Sequence, residues 1–208
     1  MSVNEIFEEL FDRYPDLSVC RDDIKKAYEL MCVCYEKGGK IMICGNGGSA
    51  ADSEHIAGEL LKGFNLKRVL SDEDKSKFED KTVADNLQYG LPAISLVSQT
   101  GLMTAFMNDV SPENVFAQQV YAYASNENDV LIALSTSGNS KNVVNAVITA
   151  RAKGIKTVSI TGKSGGRLDS LCGVTIKTPS DRTFVIQEYT LPVYHALCAM
   201  TEAYFFDK

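Results

Sequence analysis

VLIALSTSGNS, residues 130–140, is the stretch that decides the fold of this chain. An apolar run of strand length is followed by hydroxyl residues, one glycine and a helical pattern that extends to about residue 153. A buried strand, a turn of small residues and a helix in this order are typical of a parallel α/β sheet. Such a turn directs free N–H groups, hydroxyls and the positive end of the helix dipole toward one point. The stretch therefore predicts a cradle for a compact anion, such as a sugar phosphate.

The same turn, residues 135–140, also admits a purely structural interpretation, because Ser, Thr, Asn and Gly are ordinary capping and turn residues. We favour the ligand interpretation, since one helix cap requires fewer hydroxyls than this turn supplies. The hydroxyl residues are Ser135, Thr136, Ser137 and Ser140. None of the six residues is basic, so we expect hydrogen bonds rather than lysines to hold the anion.

Strand-like and helix-like patterns alternate on both sides of this turn. Short apolar runs bounded by turn residues predict strands at 40–44, 92–97, 130–134, 157–161 and 174–177. Helical patterns predict helices at 3–13, 19–36, 49–62, 100–107, 113–124, 141–153 and 183–206. The alternation predicts a doubly wound, five-stranded parallel sheet flanked by helices, with ligands at the carboxyl ends of the strands. The helices within residues 1–37 precede the sheet as extra N-terminal elements.

One highly charged segment, residues 67–88, interrupts the alternation and contains neither glycine nor proline. It predicts an exposed insertion, either a polar surface helix or a mobile loop near the ligand. No internal repeat and no linker divides the chain, so we expect a single domain over residues 1–208.

Composition excludes several functional classes. The net charge is −6 and the basic residues are dispersed, which argues against a nucleic-acid partner. No apolar run reaches membrane-spanning length and the N-terminus does not resemble a signal peptide, so we expect no membrane partner and a cytoplasmic protein. The six cysteines form no Cys-x-x-Cys pair and are expected to be reduced and structural.

A second glycine-rich turn, residues 45–50 (GNGGSA), follows the first predicted strand. It satisfies one form of the dinucleotide fingerprint, which also requires a second strand that ends in an acidic residue about 20 positions later. The charged segment occupies that position and no apolar strand leads into it, so we expect no nucleotide cofactor. The turn instead allows a sugar to approach the backbone closely, with Asn46 and Ser49 as hydrogen-bonding residues.

The chain contains two histidines, His55 and His195. His55 precedes Glu59 by one helical turn, so both side chains lie on one helix face. Such a pair is often a surface ion pair, and either histidine could be an ordinary packing residue. The position of Glu59 just beyond the proposed sugar-binding turn favours a role in proton transfer, with an imidazole as the second group.

Five motifs in order resemble the sugar isomerase (SIS) domain family, of the phosphoheptose isomerase type, over nearly the whole chain from about residue 19. They are GNGGS at 45–49, His55 with Glu59, STSGNS at 135–140, TGxxGG at 161–166 and IQE at 186–188. The resemblance implies a flavodoxin-like three-layer sandwich. It also implies an aldose–ketose isomerase that converts sedoheptulose 7-phosphate to D-glycero-D-manno-heptose 7-phosphate through an enediol, as a homotetramer with active sites between subunits.

The resemblance also assigns roles to residues. Glu59 corresponds to the catalytic base and His195 to its partner, while the hydroxyl residues of the 135–140 turn correspond to the phosphate site. Further substrate-binding positions are implied at Asn46, Gly47, Gly48, Ser49, Asn108, Asp109 and Gln187. Some members of the family bind zinc, and the corresponding residues here are His55, Glu59, Gln187 and His195.

Two features limit these implications. Gln187 and His195 are eight residues apart, about 12 Å of rise on a straight helix, so a shared zinc ion requires both side chains to reach toward each other. Pro192 between them can kink the helix. In addition, Lys62 and Gly63 stand near a position where the heptose enzymes carry an arginine, so a related phosphosugar is a possible substrate.

Two non-catalytic alternatives remain open. One is a regulator like the SIS proteins that bind the bacterial replication initiator, and the other is a sensor that binds a sugar phosphate without turnover. The initiator-binding branch lacks the Glu and His of the catalytic pair. Because Glu59 and His195 are present here, we favour the enzyme.

Overall fold

The structure, a computed structural model, describes residues 1–207. Over these residues one parallel sheet has the strand order β2-β1-β3-β4-β5. The strands are β1 (Ile41–Cys44), β2 (Ala93–Ser95), β3 (Val130–Leu134), β4 (Lys156–Thr161) and β5 (Val174–Lys177). All five lie where the sequence predicts them, and the doubly wound fold is confirmed.

Helices connect the strands and cover both faces of the sheet. They are α1 (Val3–Arg13), α2 (Arg21–Glu36), α3 (Gly48–Leu61), α4 (Asp72–Lys75), α5 (Lys81–Asp85), α6 (Thr100–Asp109), α7 (Val115–Tyr123), α8 (Lys141–Ala152), α9 (Gly166–Leu171) and α10 (Thr183–Phe206). Within residues 1–207, no helix has the length and apolarity needed to cross a membrane.

Two predicted helix starts differ from the structure, and one helix outside the charged insertion was not predicted. The residues before α2 and α7 form 3₁₀ helices, Pro15–Cys20 and Pro112–Asn114, each with its proline in the first turn. Proline suits that place because the first N–H groups of a helix have no intrahelical partner. The short α9 was missed because its six residues are too few for a periodic pattern.

The sheet separates two apolar cores, and β1 shows how. Ile41 and Ile43 pack with residues of α1, α2, α3 and α10, whereas Met42 and Cys44 pack with residues of α7 and α8. Alternate residues of a strand point to opposite faces, so a strand with apolar side chains throughout is buried on both sides. The result is the three-layer sandwich that the resemblance implies.

The strand order reverses between β1 and β3, which lie side by side with Ile43 paired to Ile132. From β1 the chain continues to β2 on one side, and from β3 it continues to β4 and β5 on the other. Ligands of open α/β sheets bind at such a switch point, at the carboxyl ends of the strands. The turns at residues 45–50 and 135–140 both start there.

The charged insertion, residues 67–88, is neither one helix nor an unstructured loop. It contains the short helices α4 and α5 and is closed by an antiparallel bridge between Val69 and Gln88. The N–H of Tyr89 also donates to the carbonyl of Arg68 at 2.7 Å. Most of the segment is exposed, as predicted, but the side chain of Arg68 is buried.

Candidate active site

The turn after β3 contains the residues that the sequence predicts as an anion cradle. Its chain reverses at Gly138, which has a φ of 65°, and the N–H of Gly138 donates to the carbonyl of Ser135 at 3.0 Å. The hydroxyls of Ser135 and Ser140 lie 3.1 Å apart. Small hydroxyl side chains are thereby grouped at the N-terminus of α8.

The capping interpretation of this turn makes a specific demand, which is that the hydroxyl of Ser140 accepts a bond from the first turn of α8. In the described chain, Ser140 is the N-cap residue of α8 but makes no such side-chain bond. The N-terminus of α8 therefore retains its capacity to bind an anion.

The turn after β1 lies beside the cradle. The side-chain amides of Asn46 and Asn142 form two reciprocal hydrogen bonds, each 2.9 Å long, and so join the first turn to α8. Gly48 lies against Gln187, since a Cβ atom at Gly48 would be 2.4 Å from Nε2 of Gln187. We call this group the phosphate end of the site: the residues of both turns together with Gln187.

A second group of predicted residues lies further along α3. The Nε2 atom of His55 is 3.1 Å from Oε1 of Glu59, and the rings of His55 and His195 are 5.0 Å apart. Oε2 of Glu59 and Nε2 of His195 are buried and have no hydrogen-bond partner among residues 1–207. The ammonium group of Lys62 lies 3.9 Å from the same oxygen of Glu59. We call His55, Glu59 and His195 the proton-transfer end.

The structure thus brings the predicted residues together in two groups rather than one. Ser49 and Glu59 are ten positions apart on α3, which corresponds to about 15 Å of helix rise. A cavity of about 640 Å³ borders the second group, and His195 and Phe64 contribute to its wall. Asn108 and Asp109 lie at the exposed end of α6 and bond to each other. Within residues 1–207 no hydrogen bond joins them to either turn.

Tyr194 and Asp52 belong to the proton-transfer end but were not predicted. The hydroxyl of the buried Tyr194 is 2.9 Å from Nδ1 of His55 and 3.3 Å from Oδ1 of Asp52. Burial raises the pKa of Asp52, and burial together with the Asp52 carboxylate raises the pKa of Tyr194. The spacing of Asp52, His55 and Glu59 places all three on one face of α3 and is the signal that could have found Asp52. No local signal identifies Tyr194.

We expect Tyr194→Phe to lower the turnover of the protein about tenfold. The change keeps the ring but removes the hydrogen bond to Nδ1 of His55, and a typical hydrogen bond contributes about 0.5–1.5 kcal/mol. Steady-state kinetics and denaturant unfolding measure the two effects. Tyr189→Phe is the matched control, because Tyr189 lies on the same helix and bonds only to Asp16 among residues 1–207. Equal behaviour of the two variants would refute the role of Tyr194.

The environment of His195 predicts how the protein depends on pH. Burial, then the neighbouring His55, lowers the pKa of His195 below its usual value of 6.5. His195 is therefore a neutral imidazole at pH 7. As pH falls below about 6.5, the unfolded chain binds a proton at His195 before the folded protein does, so the free energy of unfolding decreases. NMR titration of the two histidines should give a midpoint for His195 below 6.5, and a midpoint above it contradicts the prediction.

Three of the four predicted zinc ligands lie near one another. His55, Glu59 and His195 lie together, but Gln187 lies against Gly48 at the phosphate end. The helix α10 continues through Pro192. Over residues 1–207, no three His, Cys, Asp or Glu side chains are arranged to hold a metal ion. Zinc binding stays a prediction, and we derive no reaction step through it.

Comparison with known proteins identifies the family of the chain. The family model of the SIS domain matches residues 17–162. The chain is 40% identical over 192 residues to a phosphoheptose isomerase of Helicobacter pylori, an alignment that covers 92% of this chain and 89% of that protein.

Two solved structures are also similar. One is a phosphoheptose isomerase from Francisella tularensis, with a TM-score of 0.74, 28% identity and 96% of each chain covered. The other is a phosphoheptose isomerase from Neisseria gonorrhoeae, with a TM-score of 0.69, 30% identity, and 92% and 97% of the two chains covered. The fold, the two turns and these similarities lead to one conclusion: the chain belongs to the SIS domain family, in the group of the phosphoheptose isomerases.

Proposed function

We propose that this protein is a phosphosugar isomerase that converts sedoheptulose 7-phosphate to D-glycero-D-manno-heptose 7-phosphate. The observation that carries the proposal is the pair of buried, unpartnered atoms, Oε2 of Glu59 and Nε2 of His195, in a chain similar to phosphoheptose isomerases. A carboxylate oxygen and an imidazole nitrogen that lack hydrogen-bond partners can exchange protons with a substrate. The pair gives no support to the initiator-binding alternative, which does not require it.

The reaction moves one hydrogen between C1 and C2 of the sugar. In this mechanism Glu59 takes a proton from C1 of the ketose, and the electron pair forms the C1–C2 double bond of an enediol. His195 donates a proton to the oxygen on C2 and then takes the proton from the oxygen on C1. Glu59 returns its proton to C2, so both residues end as they began. The lowered pKa of His195 suits this role, because a neutral imidazole can both donate and accept.

The cradle holds the other end of the substrate. Hydroxyls of Ser135, Thr136, Ser137 and Ser140 and the N-terminus of α8 bind the phosphate, and Asn46 and Gln187 lie beside the sugar chain. Phosphate binding fixes the distance between the cradle and C1. It therefore selects the length of the sugar that places C1 at Glu59.

We also propose that the protein is a homotetramer with active sites between subunits. Ser49 and Glu59 are separated by about 15 Å of helix rise. One substrate molecule could therefore reach both ends of the site in a single chain only when it is fully extended. A second subunit can instead place its proton-transfer end or its phosphate end closer to the other end on the first subunit. Light scattering measures the size of the assembly.

A mixing experiment tests which chains build one site. Glu59→Gln lacks the base and Thr136→Val lacks a cradle hydroxyl, so each variant alone should be impaired. Mixed oligomers regain activity if the base of one chain serves the cradle of another. A mixture that stays as impaired as its components places both ends in one chain.

Three further statements belong to this proposal. The protein acts as a single SIS domain over residues 1–208. It resides in the cytoplasm, where reducing conditions keep thiols free, as all six cysteines are here. Zinc binding through His55, Glu59, Gln187 and His195 is also a proposal, and metal analysis of the purified protein tests it.

The deciding experiment is proton NMR of the purified protein with sedoheptulose 7-phosphate in D₂O. The proposal predicts that C1 protons are lost by exchange and that a new aldose anomeric signal develops. A panel of phosphosugars with five to seven carbons identifies another substrate if this one is inert. If the protein binds phosphosugars of the panel but catalyses no exchange, it is a sugar-phosphate sensor and not an isomerase.

A further inference from the structure

A buried ion pair lies outside both ends of the site. Arg68, at the start of the charged insertion, and Glu202, on α10, have side chains that are 0% and 1% exposed. Nε of Arg68 donates to Oε1 of Glu202 at 2.9 Å. The two residues are 134 positions apart in the chain, so the pair connects the insertion to the C-terminal helix.

Arg68 also caps the end of α3. Its two remaining nitrogens donate to backbone carbonyls, Nη1 to Leu60 at 2.6 Å and Nη2 to Glu59 at 3.2 Å. The last carbonyls of a helix have no intrahelical partner, and a cation there interacts favourably with the helix dipole. The planar guanidinium group makes these bonds and the ion pair at the same time, which lysine cannot do.

Glu202 fixes the turn that follows α3. Its carboxylate accepts from the N–H groups of Phe64 at 2.7 Å, Asn65 at 2.7 Å and Leu66 at 3.2 Å. The ring of Phe64 in turn packs against the ring of His195 at 5.6 Å. Glu202 itself lies seven residues after His195, on the same face of α10. The ion pair therefore contacts the backbone of Glu59 through Arg68. Through Glu202 it holds Phe64, whose ring packs against His195.

We propose that Arg68 and Glu202 are positioning residues, which hold Glu59 and His195 at the separation that proton transfer requires. This inference rests on the proposed isomerase function. Stability alone does not explain the pair, because buried ion pairs can often be replaced by apolar residues without loss of stability. Neither side chain contacts the cradle, so the pair acts on the geometry of the reaction and not on phosphate binding.

The test compares two kinds of variant. The double variant Arg68→Met/Glu202→Met removes both charges together, so no unpaired charge remains in the interior. Arg68→Lys keeps the positive charge but lacks the planar guanidinium group that makes the three hydrogen bonds. We expect both to fold, to keep KM within about twofold and to lose at least about tenfold in kcat, because small displacements of catalytic groups are costly. Lys40→Met is the matched control, since Lys40 pairs with the buried Asp129 at the opposite end of the strands.

A second measurement does not depend on turnover. The chain has two histidines, so NMR of histidine-labelled protein at pH 8 shows the rings of His55 and His195 without overlap from others. We expect their signals to shift in the double variant and in Arg68→Lys, and to stay unchanged in Lys40→Met.

The outcomes separate the two proposals. Unchanged kcat and unchanged histidine signals in the double variant overturn the positioning role while the isomerase stands. If the histidine signals shift in the variants but the unmodified protein turns over no phosphosugar, the isomerase proposal is refuted. The role of the ion pair in positioning Glu59 and His195 is then still supported. Equal losses of activity in the double variant and in Lys40→Met also overturn the inference, because the effect is then one of general stability.

Discussion

Glu59→Gln is expected to lower kcat by about 1,000-fold while the fold and the binding of the substrate stay intact. Glutamine has the size of glutamate but cannot take a proton from C1, and positioned acid–base groups contribute about 10²–10⁴ in rate. The hydrogen bond between His55 and Oε1 can still form with the amide oxygen, so the local geometry is kept. Steady-state kinetics and calorimetric binding of the sugar phosphate measure the two quantities.

Isotope exchange makes this prediction sharper. In D₂O the variant should also lose the exchange of C1 protons, because the same carboxylate takes and returns the hydrogen. Glu54→Gln is the control, since Glu54 lies on the same helix but bonds to Ser98, and it should keep normal turnover. Unchanged turnover in Glu59→Gln contradicts the assignment of the base.

Gly138→Ala is expected to destabilise the protein by about 3 kcal/mol and to abolish phosphate binding. The residue has a φ of 65°, and left-handed backbone costs a non-glycine residue about 1–2 kcal/mol. A Cβ atom there would lie 2.0 Å from the backbone oxygen of Gly165, and overpacking typically costs a further 1–3 kcal/mol. Relief of the clash must move the 135–140 turn, which displaces the cradle hydroxyls.

Urea unfolding and titration with a sugar phosphate measure these effects. Gly101→Ala is the control, because Gly101 lies in α6 and a Cβ there meets no atom within 4 Å among the described residues. In a helix this change should raise stability by up to about 1 kcal/mol. A Gly138→Ala protein with normal stability and normal binding would show that the turn does not need its left-handed residue.

The sheet and the turn after β3 could be predicted from sequence because their signals are local. The run at residues 130–134 has the length of a strand, and the small residues after it can serve only a turn or a ligand. The same logic located Glu59 and His55, which are one helical turn apart. Local signals have limits even here, because α9 is too short to show a period.

The rest depends on contacts between distant parts of the chain. Asp52 and Tyr194 meet across 142 positions, and Arg68 reaches Glu202 across 134. No pattern within a window of sequence contains such pairs. The charged residues of the insertion, Arg68 among them, predicted that the whole segment is exposed. Tertiary contacts nevertheless bury the side chain of Arg68 completely. The separation of the two ends along α3 was likewise hidden, because motifs in order along a chain do not reveal distance in space.

The neutral character of the 135–140 turn has a consequence for the conditions under which the protein binds its ligand. Hydroxyls and N–H groups recognise phosphate through short, directional bonds, and salt screens mainly interactions between separated charges. The affinity for a sugar phosphate should therefore change little with ionic strength, unlike that of a site built from lysines. A protein of net charge −6 repels anions at long range, so added salt should even speed the arrival of the ligand.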